Sequence, residues 1–227
     1  MMEIPTYPKI PWYDKLVPDK PCIAFEKYDG TNLAWHYNRQ NGFQDFYTRR
    51  RSFDNSDADF GNACQLFSNY QAPLQKIYQN SYLNEYDDLV VYAEYFGPNS
   101  FGGFHDPKDQ MQIVFLDLCF LNSSNSPLLD LISPFIFTKL FTGLPTPKVI
   151  YQGKITGKFT GDVKNGKYPV NEGVVCKGFL NNKVWMCKIK TQKWLDRLQQ
   201  SFKEKKKWIA PDQIERSFED ELPQEKG

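Results

Sequence analysis

Histidine is scarce in this chain: two residues in 227, His36 and His105. Cysteine is little commoner, and the five present (Cys22, Cys64, Cys119, Cys176, Cys187) form no Cys-x-x-Cys pair. A zinc centre needs Cys and His clustered at set spacings, and the sequence offers none. Long apolar runs are also missing. None approaches the roughly 18 residues that a membrane helix requires, and the N-terminal MMEIPTYPKIPWYDK has no apolar signal core. The chain is therefore expected to be cytoplasmic, without a membrane partner, and with reduced thiols. Excess charge is absent too: 28 basic and 27 acidic residues leave a net charge of +1. No global field draws this protein to nucleic acid, so a basic binding surface has to be local.

What is present suits a globular enzyme. A composition 41% hydrophobic, 24% charged and 16% aromatic can build a sizeable core. No linker or repeat divides the chain, so residues 1–227 are expected to form a single domain. After a Pro- and aromatic-rich arm, strands are expected at 22–28, 32–37 and 43–49, with a turn at Asn41-Gly42. Apolar spacing predicts a helix over 62–82, with Pro73 as a break or kink. Strands follow at 89–97 and 112–118, separated by a Gly- and Phe-rich loop over 98–108. A helix is expected over 127–141 with Pro134 as a kink or boundary. Residues 143–170 read as loop with a short strand at 149–151, 191–208 as a basic helix, and Ala210-Pro211-Asp212 as the opening of another. The fold class this implies is α+β, antiparallel sheets flanked by helices.

Two stretches stand out. In Glu26-Lys27-Tyr28-Asp29-Gly30, Lys27 precedes an Asp-Gly turn pair. It is either a solvated turn lysine or a nucleophile supported from elsewhere. In Glu172–Lys190, two strand runs flank Asn181-Asn182, a hairpin that opposes Cys176 to Cys187, Lys177 to Met186 and Val175 to Lys188. Lys177, Lys188 and Lys190 then share one face, which is either open to solvent or an anion site. Strict alternation puts Glu172 on the opposite face unless Gly173 bends the strand back. Cys176 facing Cys187 allows a cross-strand disulfide, and a reducing compartment disfavours it.

These pieces occur in a telling order: Lys27-Tyr28-Asp29-Gly30, then Arg49-Arg50-Arg51, Glu94, Leu116-Asp117-Leu118, Glu172-Gly173-Val174-Val175 and Lys188-Ile189-Lys190. In this the chain resembles the covalent nucleotidyltransferases, the polynucleotide ligases and mRNA capping enzymes, over roughly residues 20–192. Glu26-Lys27-Tyr28-Asp29-Gly30-Thr31-Asn32 and Tyr92-Ala93-Glu94-Tyr95-Phe96-Gly97 look most like ATP-dependent RNA ligases of the phage and editing-ligase type, so a viral origin is compatible.

The resemblance implies a set of roles. Lys27 is the nucleophile that becomes adenylylated, and Lys188 and Lys190 contact the α-phosphate. Glu26, Asp29, Arg50, Glu94, Glu172 and Lys177 hold the nucleotide, with Glu94 and Glu172 also near a metal, largely through water. The family places a Phe before the motif Asp to stack on adenine; here that position is Leu116, with Phe115 beside it. The cofactors implied are ATP and Mg²⁺, with Mn²⁺ as a substitute. The partner implied is RNA, with DNA or hybrid ends as further candidates, for a monomer. Residues 191–227 form a short C-terminal helical extension on this reading, too short for the OB-fold of DNA ligases and capping enzymes. The alternatives are a DNA ligase core, a GTP-dependent capping guanylyltransferase, or an inactive nucleic-acid-binding relative.

The chemistry explains the residue types. A lysine with an ordinary pKa near 10.4 is neutral for about 0.1% of molecules or less at pH 7, and only the neutral amine attacks. Neighbouring cations disfavour its protonated form and then neutralise phosphate charge. Arg49–Arg51, Lys154, Lys158, Lys164, Lys167 and Lys203–Lys207 are the basic side chains available to a nucleic-acid backbone, and the C-terminal lysines also read as a solvated helix face.

Overall fold

The computed structural model describes residues 4–13, 19–98, 108–121 and 130–205, with backbone alone for Asp130 and 201–205. In chain order the elements are β1 (Cys22–Lys27), β2 (Thr31–Asn38), β3 (Gly42–Tyr47), β4 (Ser52–Phe53), α1 (Gly61–Ser68) and α2 (Gln71–Tyr78). Then follow β5 (Asp88–Phe96), β6 (Gln112–Leu121), β7 (Asp130–Leu131), α3 (Pro134–Leu140), β8 (Val149–Gly153), α4 (Gly157–Lys164), β9 (Gly173–Leu180), β10 (Lys183–Lys190) and α5 (Gln192–Lys205). The strands form two antiparallel sheets, a small one in the order β10-β9-β1-β8 and a larger one in the order β4-β3-β2-β5-β6-β7. The α+β reading holds.

Three apolar clusters follow from this arrangement. One lies between the outer face of the large sheet and α1, α2 and α3, and includes Trp35, Phe67, Tyr78 and Phe115. A second lies between the small sheet and α4, around Cys176, Cys187, Phe159 and Val163. The third fills part of the space between the sheets, where Ala34, Tyr92 and Cys119 meet Val184 and Met186. The N-terminal arm packs into this third cluster through Ile4, Tyr7 and Ile10, and it is bolted down where the Tyr92 hydroxyl donates to the Pro5 carbonyl at 2.7 Å.

Several elements differ from the expectations. The single helix over 62–82 is two, because the chain turns at Asn69-Tyr70. Pro73 is the third residue of α2, where its missing N–H breaks no helical bond. Pro134 opens α3, so the helix begins there. Residues 122–129 lie outside the described part, as do most of the 98–108 loop, with His105, and the region of Ala210-Pro211-Asp212. The stretch read as loop contains α4. Gly157 and Gly161 each cost a helix up to about 1 kcal/mol, yet Thr156 caps its first turn, its Oγ1 accepting from the Phe159 N–H at 3.1 Å. Phe159 and Val163, four apart, bury fully against the small sheet.

The hairpin forms in the expected register, with Cys176 opposite Cys187 and Lys177 opposite Met186. Asn181 and Asn182 both take positive φ (51° and 58°), as its two-residue turn requires. All five cysteines are buried free thiols.

Candidate active site

The two sheets part at one end to leave a cleft of about 720 Å³. Lys27 is the last residue of β1, at the point where the chain leaves the small sheet for the large one. Because β1 lies between β8 and β9, and Phe25 and Lys27 oppose Val175 and Gly173, Lys27 shares a sheet face with the hairpin lysines. The turn after it is not held by positive φ. Gly30 is required for a different reason: a Cβ there would lie 2.4 Å from the Tyr95 carbonyl oxygen. Tyr28 stacks on Phe96 with ring centroids 4.6 Å apart.

Glu172 settles the parity question. Its Oε1 lies 2.8 Å from Lys27 Nζ and 2.9 Å from Lys190 Nζ, so it stands on the lysine side. Gly173, at φ 152°, makes the reversal, and a Cβ there would sit 2.1 Å from the Ile189 carbonyl oxygen. Glu172 is 2% exposed, and its Oε2 is buried with no hydrogen-bond partner among the described residues.

The hairpin lysines are not a solvated face: Lys177, Lys188 and Lys190 are 4%, 6% and 1% exposed. Lys188 lines the cleft. Lys190 stands one layer back, behind Glu172, with no exposed side-chain surface. Lys177 also lines the cleft, but its ammonium is committed to Asp117 Oδ2 at 2.5 Å and to the Leu116 carbonyl at 2.9 Å. Tyr7 donates a short hydrogen bond to the same Asp117 oxygen, so arm, β6 and β9 are tied together beneath the cleft.

The opposite wall comes from the large sheet. Glu94 pairs with Asn32 and faces inward. Burial pushes its carboxyl up to about 7; Lys27 opposes that shift, Glu172 and Asp29 add to it, and Arg49 opposes it. Glu26 and Asp29 line the cleft. Glu26 accepts from the Tyr28 hydroxyl at 3.1 Å and lies 3.7 Å from Lys148. Arg49, Arg50 and Arg51 rim the mouth. Arg51 is taken up by Asp57 and Asp59, whereas Arg50 lines the cleft on a turn where its backbone N–H donates to Thr48 Oγ1 at 3.1 Å.

Phe115 is a correction. It is fully buried on the helix-facing side of the large sheet, edge-on to Tyr70 at 5.4 Å, and cannot stack on a nucleobase. A bulge in the β5–β6 pairing, between Tyr92 and Ala93, opposes Asp117 to Tyr92 and Phe115 to Ala93 and leaves Leu116 between them. Leu116 therefore joins Asp117 on the inner side and lines the cleft. The basic side chains along 154–167 do not line the cleft. Lys154 pairs with Asp19, and Lys158 and Lys167 both pair with Asp162 on α4. His36 bonds Asp88 at 2.7 Å and does not line the cleft.

Sequence reasoning missed Tyr7, Trp12, Asn32 and Trp194, and within the arginine cluster it favoured Arg50 over Arg49. Tyr7, Asn32, Arg49 and Trp194 line the cleft, and Trp12 stacks over Lys188 beside it. Only Trp194 carried a signal, an aromatic four residues after Lys190 in the first turn of α5.

No family model matches this chain, and no curated protein matches it by sequence. Solved structures do match. A Naegleria gruberi RNA ligase mutant with ATP and manganese superposes with a TM-score of 0.60 at 12% identity, over 80% of this chain and 52% of that one. An unliganded mutant of the same ligase gives 0.61 at 12% identity, over 87% and 60%, and a mutant with AMP and manganese gives 0.59 at 12% identity, over 86% and 60%. This chain thus spans between half and three-fifths of that ligase's length. The two-sheet architecture around the Lys27 cleft is a ligase-type nucleotidyltransferase fold.

Proposed function

We propose that this chain is an ATP-dependent RNA ligase working through a covalent lysyl-AMP on Lys27. The observation that carries the reading is Lys27 at the floor of a nucleotide-sized cleft, with Lys188 and Lys190 on its own sheet face and one carboxylate, Glu172, shared between Lys27 and Lys190. The structural likeness to an RNA ligase supports it.

The neutral Lys27 amine attacks the α-phosphorus of ATP. The bond from that phosphorus to the bridging oxygen breaks, pyrophosphate leaves, and the amine sheds its second proton to solvent or to a carboxylate of the cleft. A 5′-phosphate oxygen of a nucleic-acid end then attacks the same phosphorus, the phosphorus–nitrogen bond breaks, and Lys27 takes up a proton and leaves as the amine. A 3′-hydroxyl gives up its proton and attacks the phosphorus of that 5′-phosphate, the bond to the AMP oxygen breaks, and the phosphodiester forms as AMP leaves. Lys188, backed by Lys190, offsets charge on the phosphate oxygens, and the cleft contributes orientation and fixed electrostatics. Arg50 at the mouth is placed for a substrate phosphate.

Among the described residues no three acidic or thiol groups cluster as a metal cage. The orphaned Glu172 Oε2 and the nearby Glu94 and Asp29 carboxylates fit a hard cation held mainly by phosphate and water. When bound, Mg²⁺ or Mn²⁺ supplies charge neutralisation on the phosphates.

The test is incubation with a divalent metal and α-labelled ATP or GTP. An acid-stable protein label from ATP that disappears in Lys27→Ala supports the reading. Label from GTP alone points to capping chemistry, and no label from either nucleotide sinks the enzyme reading.

A further inference from the structure

Lys188 and Lys190 share one face of the hairpin, and two indole rings from distant parts of the chain meet them. Lys190 Nζ lies 3.6 Å from the Trp194 ring centroid and 5.7 Å from that of Trp12. Lys188 Nζ lies 5.1 Å over the same Trp12 ring. Trp12 thus spans both ammonium groups from one side, and Trp194 closes on Lys190 from another.

Both rings are placed by specific backbone bonds. The Lys188 N–H donates to the Pro11 carbonyl at 2.8 Å and the Tyr13 N–H donates to the Lys188 carbonyl at 3.0 Å, which stitches the arm to the free edge of β10 around Trp12. Thr191 Oγ1 accepts from the Trp194 N–H at 3.2 Å and donates to the Asn171 carbonyl at 3.0 Å. The Thr191 N–H donates to the Glu172 carbonyl at 2.9 Å, so one residue seats both Trp194 and the shared carboxylate. The indole N–H groups of Trp12 and Trp194 are buried and have no hydrogen-bond partner among the described residues. Buried indoles ordinarily find an acceptor.

We infer that Trp12 and Trp194 are positioning residues for nucleotidyl transfer, an aromatic clamp that holds Lys188 and Lys190 in place without adding negative charge. This rests on the lysyl-AMP reading. The physical reason is specific. A second carboxylate would steady the lysines but repel the phosphates, whereas a ring face attracts an ammonium through its quadrupole and carries no net charge. The clamp makes the N-terminal arm and the start of α5 part of the site.

The test uses the full chain with Trp194→Leu, Trp194→Phe, Trp12→Leu and Trp12→Phe. The readouts are the melting temperature, the rate and half-saturating ATP of protein labelling, and pyrophosphate affinity by calorimetry. Phe keeps a ring face and Leu keeps apolar bulk. The Leu variants should lose about tenfold in labelling rate at saturating ATP and about tenfold in pyrophosphate affinity, with the Phe variants within about threefold of the parent. Equal losses in Leu and Phe variants that melt like the parent, or no loss in either, would overturn the clamp. Trp12 is only half-buried, so its variants decide the matter should the Trp194 variants not fold. If the unmutated protein takes no label yet binds pyrophosphate, the ligase reading fails while the binding comparison still decides the clamp. If it binds no pyrophosphate, the clamp falls as well.

Discussion

Two buried lysine–carboxylate contacts between the sheets look alike and differ in how many lysines each carboxylate serves. At Asp117, one carboxylate oxygen meets one ammonium, Lys177, and the neutral Tyr7 hydroxyl, and the other oxygen has no partner among the described residues. At Glu172, one carboxylate oxygen is shared by Lys27 and Lys190, Lys188 stands on the same face, and the other oxygen is unpartnered. The first contact is electrically closed and ties arm, β6 and β9 together. The second shares one carboxylate oxygen between two ammonium groups beside the cleft. Buried ion pairs are weak evidence for stability and weaker for function; it is this sharing, next to Lys27 in the cleft, that separates the site from the scaffold.

Three experiments press on this contrast. The largest effect is expected at the closed pair. Lys177→Met strands Asp117 without its cation and should cost about 3–5 kcal/mol of unfolding free energy by denaturant titration. Adding Asp117→Leu should recover most of that, because a pair that serves only as a tie can be replaced by apolar packing. Failure to recover would mean that Lys177 also serves the cleft.

Gly173→Ala tests the shared carboxylate. A Cβ 2.1 Å from the Ile189 carbonyl at φ 152° cannot be accommodated without shifting backbone. A loss of about 2–3 kcal/mol is expected, together with a fall in lysine labelling larger than any scaffold mutant of equal stability shows.

The smallest effect concerns Glu94, whose folded carboxyl is pushed up to about 7 from an ordinary 4.5. Between those values the folded protein binds a proton that the unfolded chain has lost, so stability falls as pH rises through this window. Glu94→Gln removes the penalty. It should raise the melting temperature at pH 8, by the equivalent of about 1–2 kcal/mol, and leave it unchanged below about pH 4.5. An equal gain at both pH values would show that the carboxylate's charge is not the cause.

Much of the site was legible because its pieces are local. Lys27 sits at a strand end, Glu94 follows a buried strand run, and the hairpin register follows from Asn181-Asn182 and period-two alternation. The misreadings have definite causes. Composition hid α4, because two glycines and several lysines outweighed the two aromatic and aliphatic positions that bury it. Strand alternation made Phe115 and Leu116 equivalent candidates until a bulge separated them.

Local pattern alone determined the place of Lys27 at a strand end, the pairing of the lysine hairpin and the α+β class, since each depends on residues within one or two strands of each other. Tertiary structure decided the rest. It placed Glu172 on the lysine side through the backbone of Gly173, spent Lys177 on Asp117, set Lys190 behind Glu172, and brought Trp12 and Trp194 from far apart in the chain to the same pair of ammonium groups. Those outcomes depend on how two sheets and an N-terminal arm close over one another, and charge and ring contacts of that kind leave no periodicity in a sequence.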